Sequence, residues 1–234
     1  MAKLAVITSG TKGIGRATVE KFYQEGFDVV TCARNQADLE SLKSQLESTG
    51  SNKAHIRATD MSKKEEVLAF AQMVLDLNQT VDVLVNNTGT FIPGSVHNEE
   101  DGALETMIET NLYSAYYLTR KLIGGMMEAK SGHVFTMGSI AGIDSYDNGG
   151  SYSISKFAMR GFTTALREEM KAHGIRVTSV LAGATYTASW EGVDLPLERF
   201  MKATDIADAI YGANALPKQT GVEEILVRPQ LGDI

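Results

Sequence analysis

The chain predicts a doubly wound α/β fold, with parallel strands in the middle and helices on both faces. Short apolar runs of strand length alternate with segments of helical period from one end to the other. The first apolar run leads directly into a glycine-rich turn that opens a helix. No linker, repeat or low-complexity tract interrupts the alternation, so residues 1–234 read as one domain.

Residues 4–7, Leu-Ala-Val-Ile, have the unbroken apolar character of a buried parallel strand. The turn Thr8-Ser9-Gly10-Thr11-Lys12-Gly13-Ile14-Gly15 follows, and then Ala17, Val19, Phe22 and Tyr23 at helical spacing. Glycines at 10, 13 and 15 let the backbone turn sharply and let a ligand come close. The amides and dipole of the helix N-terminus suit a pyrophosphate. The spacing is G-x-x-G-x-G rather than the usual G-x-G-x-x-G, and a glycine turn without ligand duty is the alternative. Its position after the first strand favours phosphate binding.

Residues 27–34 form the second strand, which ends in Ala33-Arg34-Asn35. An NAD-selective site usually puts an acid there, on the ribose 2′-hydroxyl; none is present. Asp28 stands at the opposite end and reads as a turn cap. Arg34 can pair with a 2′-phosphate, and Lys12 can reach the same group. Each alone reads as a solvated charge. Together, with the acid missing, they favour NADPH.

A helix carrying Leu39, Leu42 and Leu46 leads to a third strand at 54–59. Asp60 then either bonds an adenine amine or caps its own loop, and Ser62 to Glu65 match a capping box. The fourth strand, 81–85, ends in Asn86-Asn87-Thr88-Gly89. Asparagines there can satisfy backbone groups where strands splay, and Gly89 permits close approach to a cofactor. A long helix is expected over about 102–127, with Met107, Leu112, Ala115 and Leu118 facing inward. Asn111 in its middle is a mediocre helix former, which points to a functional constraint or to a solvent-facing position.

The fifth strand, 133–137, ends in Gly138-Ser139-Ile140-Ala141-Gly142 and puts a hydroxyl at the carboxyl edge, where open α/β sheets bind ligands. The helix that carries Tyr152 runs to about His173 and stops at Gly174. A sixth strand, 175–180, leads into Leu181-Ala182-Gly183-Ala184-Thr185-Tyr186-Thr187. Residues 188–202 lack strong periodicity but contain Trp190, Leu195, Leu197 and Phe200, which suit a substrate lid or ordinary loop packing. A helix at 204–213 and a strand at 224–227 complete the chain.

Tyr152 and Lys156 lie one helical turn apart on one face. An ammonium near a phenol favours the phenolate, so Lys156 should lower the Tyr152 pKa and tune it for proton transfer. Taken alone, the pair is more often an ordinary surface contact.

Bulk properties narrow the function. With 234 residues, 43% hydrophobic and 22% charged, the chain can bury a substantial core. A net charge of −7 argues against nucleic acid or an anionic membrane as the main partner. No apolar run approaches a membrane span, and the N-terminus is too short on apolar residues for a signal peptide. The single Cys32 fits a reducing, cytoplasmic setting and reads as a buried structural thiol. His55, His97, His133 and His173 are scattered, so no metal site is expected.

Taken in register, these motifs resemble the short-chain dehydrogenase/reductase family over essentially the whole length. They are T-S-G-T-K-G-I-G at 8–15, D-M at 60–61, N-N-T-G at 86–89, Asn111, Ser139, Y-S-I-S-K at 152–156 and L-A-G-A-T-Y-T at 181–187. The resemblance implies a seven-stranded parallel Rossmann sheet and hydride transfer at a nicotinamide, with NADP(H) as cofactor. It implies Tyr152 as proton donor to a carbonyl, Ser139 as partner of the carbonyl oxygen, and Lys156 as holder of the nicotinamide ribose. Asn111 would anchor a water in a proton relay reaching Lys156. Cofactor contacts would come from Gly10, Thr11, Lys12, Gly13, Ile14, Gly15, Arg34, Asp60, Met61, Asn87 and Gly89. Gly183, Thr185 and Thr187 would add to them, Thr187 on the carboxamide arm.

Thr88 replaces the family's usual alanine and Ala182 its proline, both near the cofactor. The resemblance further implies a small-molecule carbonyl or alcohol substrate and a homodimer or homotetramer. A 3-oxoacyl-acyl-carrier-protein reductase and a non-catalytic NADP(H)-sensing protein are the alternatives.

Overall fold

A computed structural model describes residues 2–187, 190, 192 and 194–234. Seven strands form one parallel sheet: β1 (Lys3–Ile7), β2 (Phe27–Ala33), β3 (Ala54–Ala58), β4 (Val81–Asn86), β5 (Gly132–Met137), β6 (Ile175–Ala182) and β7 (Glu224–Val227). The helices between them are α1 (Gly13–Gln24), α2 (Gln36–Thr49), α3 (Lys64–Leu75), α4 (Ala103–Ile108), α5 (Ser114–Ala129), α6 (Gly150–Met170) and α7 (Ala203–Ala215). The strand order is β3-β2-β1-β4-β5-β6-β7, so the winding reverses between β1 and β4. Ligand crevices of such sheets open at that reversal, beyond the carboxyl ends of the strands.

Helices cover both faces, which is why the central strands read as unbroken apolar runs. On one face Val67, Phe70 and Val74 of α3, Leu118 and Leu122 of α5, and Leu166 and Met170 of α6 pack with Leu4, Val6, Leu84 and Val134. On the other, Val19 and Phe22 of α1, Leu42 and Leu46 of α2, and Ile206 and Ile210 of α7 pack with Ala5, Ile7, Val83 and Phe135. Each such fully buried side chain contributes about 1.5–3 kcal/mol. Cys32 is buried in β2, and that burial pushes its thiol up to about 12.

The register brings the strand ends level. Ile7 of β1 pairs with Thr31 and Val85, Asn86 of β4 with Thr136, and Met137 of β5 with Val180. The loops after β1, β4, β5 and β6 therefore share one edge.

The structure revises several expectations. The helix expected over 102–127 is two helices, α4 and α5, joined by a π-helical turn at Glu109–Tyr113, with Asn111 at the turn's centre. Asn111 is fully buried, which removes the solvent-facing alternative. The capping box at Ser62 does not form. Asp60 sits close enough to take both the Ser62 amide (3.0 Å) and the Ser62 hydroxyl (2.8 Å), so that hydroxyl is turned away from α3. Asp28 accepts the Lys53 amide at 2.7 Å, which holds the start of β3 against β2. None of the helices among the described residues is long and apolar enough to cross a membrane.

Candidate active site

The glycine turn is shaped by its neighbours. Gly13 opens α1 with φ +53°, a conformation that a side chain would strain. At Gly15 a Cβ would collide with the Ser9 carbonyl and come within 2.5 Å of Asn87 Nδ2, so β1's turn and β4's end meet there. Asn87 makes the junction. Its side-chain amide donates to the Thr8 carbonyl at 2.9 Å, and its backbone amide donates to the Thr8 hydroxyl at 2.9 Å. The asparagine thus bridges the two strands where they splay, as expected of that motif.

Thr88 also finds a use at this junction. Its hydroxyl lies 2.7 Å from that of Ser9, and its amide donates to Thr8 at 3.0 Å. The residue that departs from the family pattern pins the turn rather than disturbing it.

At the end of β2, Arg34 is exposed, and Asn35 caps α2 by accepting the amides of Ala37 (2.8 Å) and Asp38 (3.2 Å). Lys12, 73% exposed, lies 3.8 Å from Asp38 and so stands on the same rim as Arg34's strand end. Such an exposed pair contributes little to stability and leaves the ammonium available to a ligand.

Asp60 fits its loop-capping alternative. Burial works to raise its pKa, but the hydrogen bonds from Ser62 outweigh that and hold the carboxyl below its ordinary value. Met61 is buried in the core with Val67 and Phe70, directly after Asp60 and just beyond the end of β3.

The second half of the site rests on α6. A 3-10 turn at Ile140–Gly142 is capped by Ser139, whose hydroxyl accepts the Ala141 amide at 3.1 Å. Gly142 packs so closely on α6 that a Cβ would lie 2.8 Å from the Lys156 carbonyl. That close approach sets Ser139 beside Tyr152. Burial pushes the Tyr152 phenol above its ordinary pKa, and the Ser139 hydroxyl pulls in the opposite direction.

The expectation that Lys156 lowers this pKa is not met. The ammonium is buried, stands 5.6 Å from the Tyr152 ring centre and donates to the Met137 carbonyl at 2.9 Å. Burial brings its own pKa down to about 8. A cation whose proton is committed to the Met137 carbonyl is a weak tuner of the phenol, and desolvation of the phenol dominates.

Asn111 spends its side chain on structure. Its Oδ1 accepts the Thr90 amide at 2.7 Å, and its Nδ2 donates to the Thr90 carbonyl at 3.0 Å and to Ser155 Oγ at 2.9 Å. Ser155 in turn donates to the Tyr152 carbonyl at 2.7 Å. The π-helical turn thus ties the strand β4 loop to α6, a use that such turns often serve at functional sites. Gly89 lies between: a Cβ there would be 3.5 Å from both Asn111 Oδ1 and Lys156 Nζ.

Thr187 reaches the glycine turn, its Cγ2 lying 3.0 Å from where a Gly13 Cβ would be. Thr185 is buried and donates to the Gly183 carbonyl at 3.1 Å, so its hydroxyl serves its own loop. Above the crevice, Phe91 sits edge-on to Tyr152 at 5.0 Å, and Tyr186 and Trp190 flank Phe200 at 5.7 and 5.1 Å. Of the suspected lid, residues 188, 189, 191 and 193 lie outside the described residues.

Ser155 and Thr8 lie inside the quoted motifs, but the sequence reading assigns no role to either. Ser155 was legible in principle, because it sits one turn after Tyr152. Thr8's role was not, since only the fold brings it to Asn87 and Thr88. No cluster of metal-ligating side chains occurs among the described residues.

Fold and site define a Rossmann-type protein whose dinucleotide crevice adjoins a Ser–Tyr–Lys group. Residues 3–196 match the family model described as short chain dehydrogenase, and the chain belongs to that family of oxidoreductases. It is similar to an uncharacterized oxidoreductase of Staphylococcus aureus, 30% identical with 97% of each chain covered. It is likewise similar to the sepiapterin reductase of Chlorobaculum tepidum, 31% identical over 100% of this chain and 99% of that protein. Among solved structures it is similar to a metagenomic short-chain oxidoreductase in complex with NADP, at 31% identity and TM-score 0.85 with 97% of each chain covered. An alcohol dehydrogenase of the archaeon Thermococcus sibiricus, complexed with 5-hydroxy-NADP, matches at 26% identity and TM-score 0.90, covering 98% of this chain and 97% of that one.

Proposed function

We propose that the protein is an NADPH-dependent reductase of a ketone or aldehyde, with Tyr152 as the general acid. The observation that carries this reading is the meeting of Ser139 and Tyr152 beside a buried Lys156, at the edge where the strand order reverses. NADPH bound in the crevice would supply the hydride. The glycine turn would hold the pyrophosphate at the start of α1, Asn87 and Gly89 would border the cofactor, and Thr187 would meet its carboxamide.

The Ser139 hydroxyl would hydrogen-bond the substrate oxygen, and the phenol would give up its proton there as the alcohol forms. A phenol whose pKa is raised by burial is protonated at neutral pH, which suits reduction. Lys156 would hold the nicotinamide ribose, and Asn111, through Thr90 and Ser155, would hold the floor of the site. Phe91 at the mouth supports a substrate with apolar groups beside its carbonyl.

NADPH oxidation should be seen with at least one member of a panel of ketones, aldehydes and acetoacetyl thioesters. Turnover of the thioesters alone would favour an acyl-carrier substrate. NADPH binding without any turnover would turn the reading to a sensor.

Cofactor choice rests on Arg34, at β2's end where the sequence Ala33-Arg34-Asn35 has no acid, and on Lys12, which lies 3.8 Å from Asp38 on the same rim. Arg34→Ala should weaken NADPH about 10-fold or more and NADH by no more than about 2-fold, as loss of a phosphate contact implies. Isothermal titration with both cofactors measures it, and equal losses would remove Arg34 from the 2′-phosphate site. A homodimer or homotetramer is the expected assembly, supported by exposed Tyr113 just before α5, Tyr116 on it, and Ile154 and Phe157 on α6.

A further inference from the structure

The helix that carries Tyr152 and Lys156 lacks a cap of its own. Its N-cap residue is Gly149, which offers no side chain to the first free amides of α6. The cap comes from another part of the chain. One carboxylate oxygen of Glu99 accepts the Ser151 amide at 3.2 Å, and the other accepts the Ser151 hydroxyl. Ser151 is buried, and Glu99 is half-buried.

The contact belongs to a larger clamp. The Gly94 amide donates to the Asn148 carbonyl at 3.1 Å, Gly94 forms an isolated bridge with Gly149, and Ser95 Oγ donates to Asn148 Oδ1 at 3.3 Å. At Gly150, a Cβ would lie 2.9 Å from Glu99 Oε2 and closer still to the Gly94 carbonyl, so the fit leaves no room for a side chain. The same loop begins with Phe91 against the Tyr152 ring. It therefore touches the phenol at one end and the residue before it at the other.

We propose that Glu99 is a positioning residue: acting through Ser151, it fixes the first turn of α6 and so sets the Tyr152 phenol over the reacting carbonyl. A carboxylate accepting two hydrogen bonds at a helix N-terminus is a strong cap, because the helix dipole adds to the charge-assisted bonds. The first turn is where a helix frays, and Tyr152 stands in it. Small misplacements of a proton donor cost rate steeply, about 10²-fold for an ångström. The inference rests on the reductase reading above.

The test compares wild type, Glu99→Ala, Glu99→Gln and a control at the opposite edge of the sheet, Asp28→Ala, which removes the acceptor of the Lys53 amide at the start of β3. With a substrate found in the panel, Glu99→Ala should lower kcat about 10–100-fold, and Glu99→Gln, which keeps one acceptor, less. The NADPH Kd should stay within about 2-fold, because the clamp touches Tyr152's turn and not the glycine turn. Asp28→Ala should lose thermal stability with kcat unchanged. A kcat for Glu99→Ala within about 2-fold of wild type would overturn the proposal, as would equal kcat losses in Glu99→Ala and Asp28→Ala.

Hydrogen exchange supplies a readout that needs no substrate. Amides 151–153 should exchange at least about 10-fold faster in Glu99→Ala than in wild type, while the rest of α6 stays protected. Unchanged protection there would overturn the proposal even if the protein turned over nothing, a result that would separately sink the reductase reading.

Discussion

Tyr152→Phe should abolish NADPH oxidation, lowering kcat by about 10²–10⁴-fold, while the NADPH Kd stays within a few-fold. The substitution removes one oxygen and keeps the ring, so the edge-on packing with Phe91 at 5.0 Å survives and α6 has no reason to move. A phenol is protonated at neutral pH, and burial, which raises its pKa, keeps it so. The lost function is then specifically the proton, and not charge or shape. Retention of near-wild-type reduction by Tyr152→Phe would remove Tyr152 as the acid. Ser139→Ala should be milder, since in the proposed reaction Ser139 would only hold the substrate oxygen, besides its hydrogen bond to the phenol.

Much of this arrangement was legible because it is local. Parallel strands covered on both faces favour unbroken apolar runs, so residues 4–7 and 83–85 announce themselves, and the glycine turn between β1 and α1 follows from spacing. Asn111 was legible as an anomaly: a residue poorly suited to a helix interior stands where the helix widens into a π turn. The form of the anomaly was not, because a π turn leaves no compositional signature.

What sequence spacing could not supply was long-range choice between partners. Ser62 has the spacing of a capping box, yet Asp60 takes its hydroxyl two residues away, and the Asp60 amide goes to Glu66 at 2.6 Å. Glu99 and Ser151 are 52 residues apart, and only the folded loop joins them. The Tyr–Lys pair shows the same limit. Spacing says that the two groups are neighbours but not that Lys156 is buried and Tyr152 half-buried, and desolvation of the phenol reverses its expected shift.

Lys156→Met should damage function and strengthen the fold at once. Function suffers twice. In the proposed reaction the ammonium holds the nicotinamide ribose, so without it NADPH should bind about 10-fold more weakly, and kcat should fall by about 10²-fold as the nicotinamide loses its alignment with Tyr152. Stability moves the other way. The folded-state pKa is about 8 against 10.5 for the free side chain, so below pH 8 the folded protein carries a buried charge that the unfolded chain keeps in water. The 2.5-unit difference, at about 1.4 kcal/mol per unit, is a penalty on the order of 3 kcal/mol at neutral pH. Loss of the bond to the Met137 carbonyl returns about 1–2 kcal/mol of that, leaving a net gain of roughly 1–2 kcal/mol. Between pH 8 and 10.5 the unfolded chain holds a proton that the folded one has released, so wild-type stability rises with pH across that window. Denaturant unfolding at pH 7 and pH 10 should therefore find Lys156→Met the more stable protein at pH 7, with the gap closing by pH 10. A variant less stable than wild type at pH 7 would mean that the bond to Met137 outweighs the buried charge, and that this lysine is placed for the fold before it is placed for the cofactor.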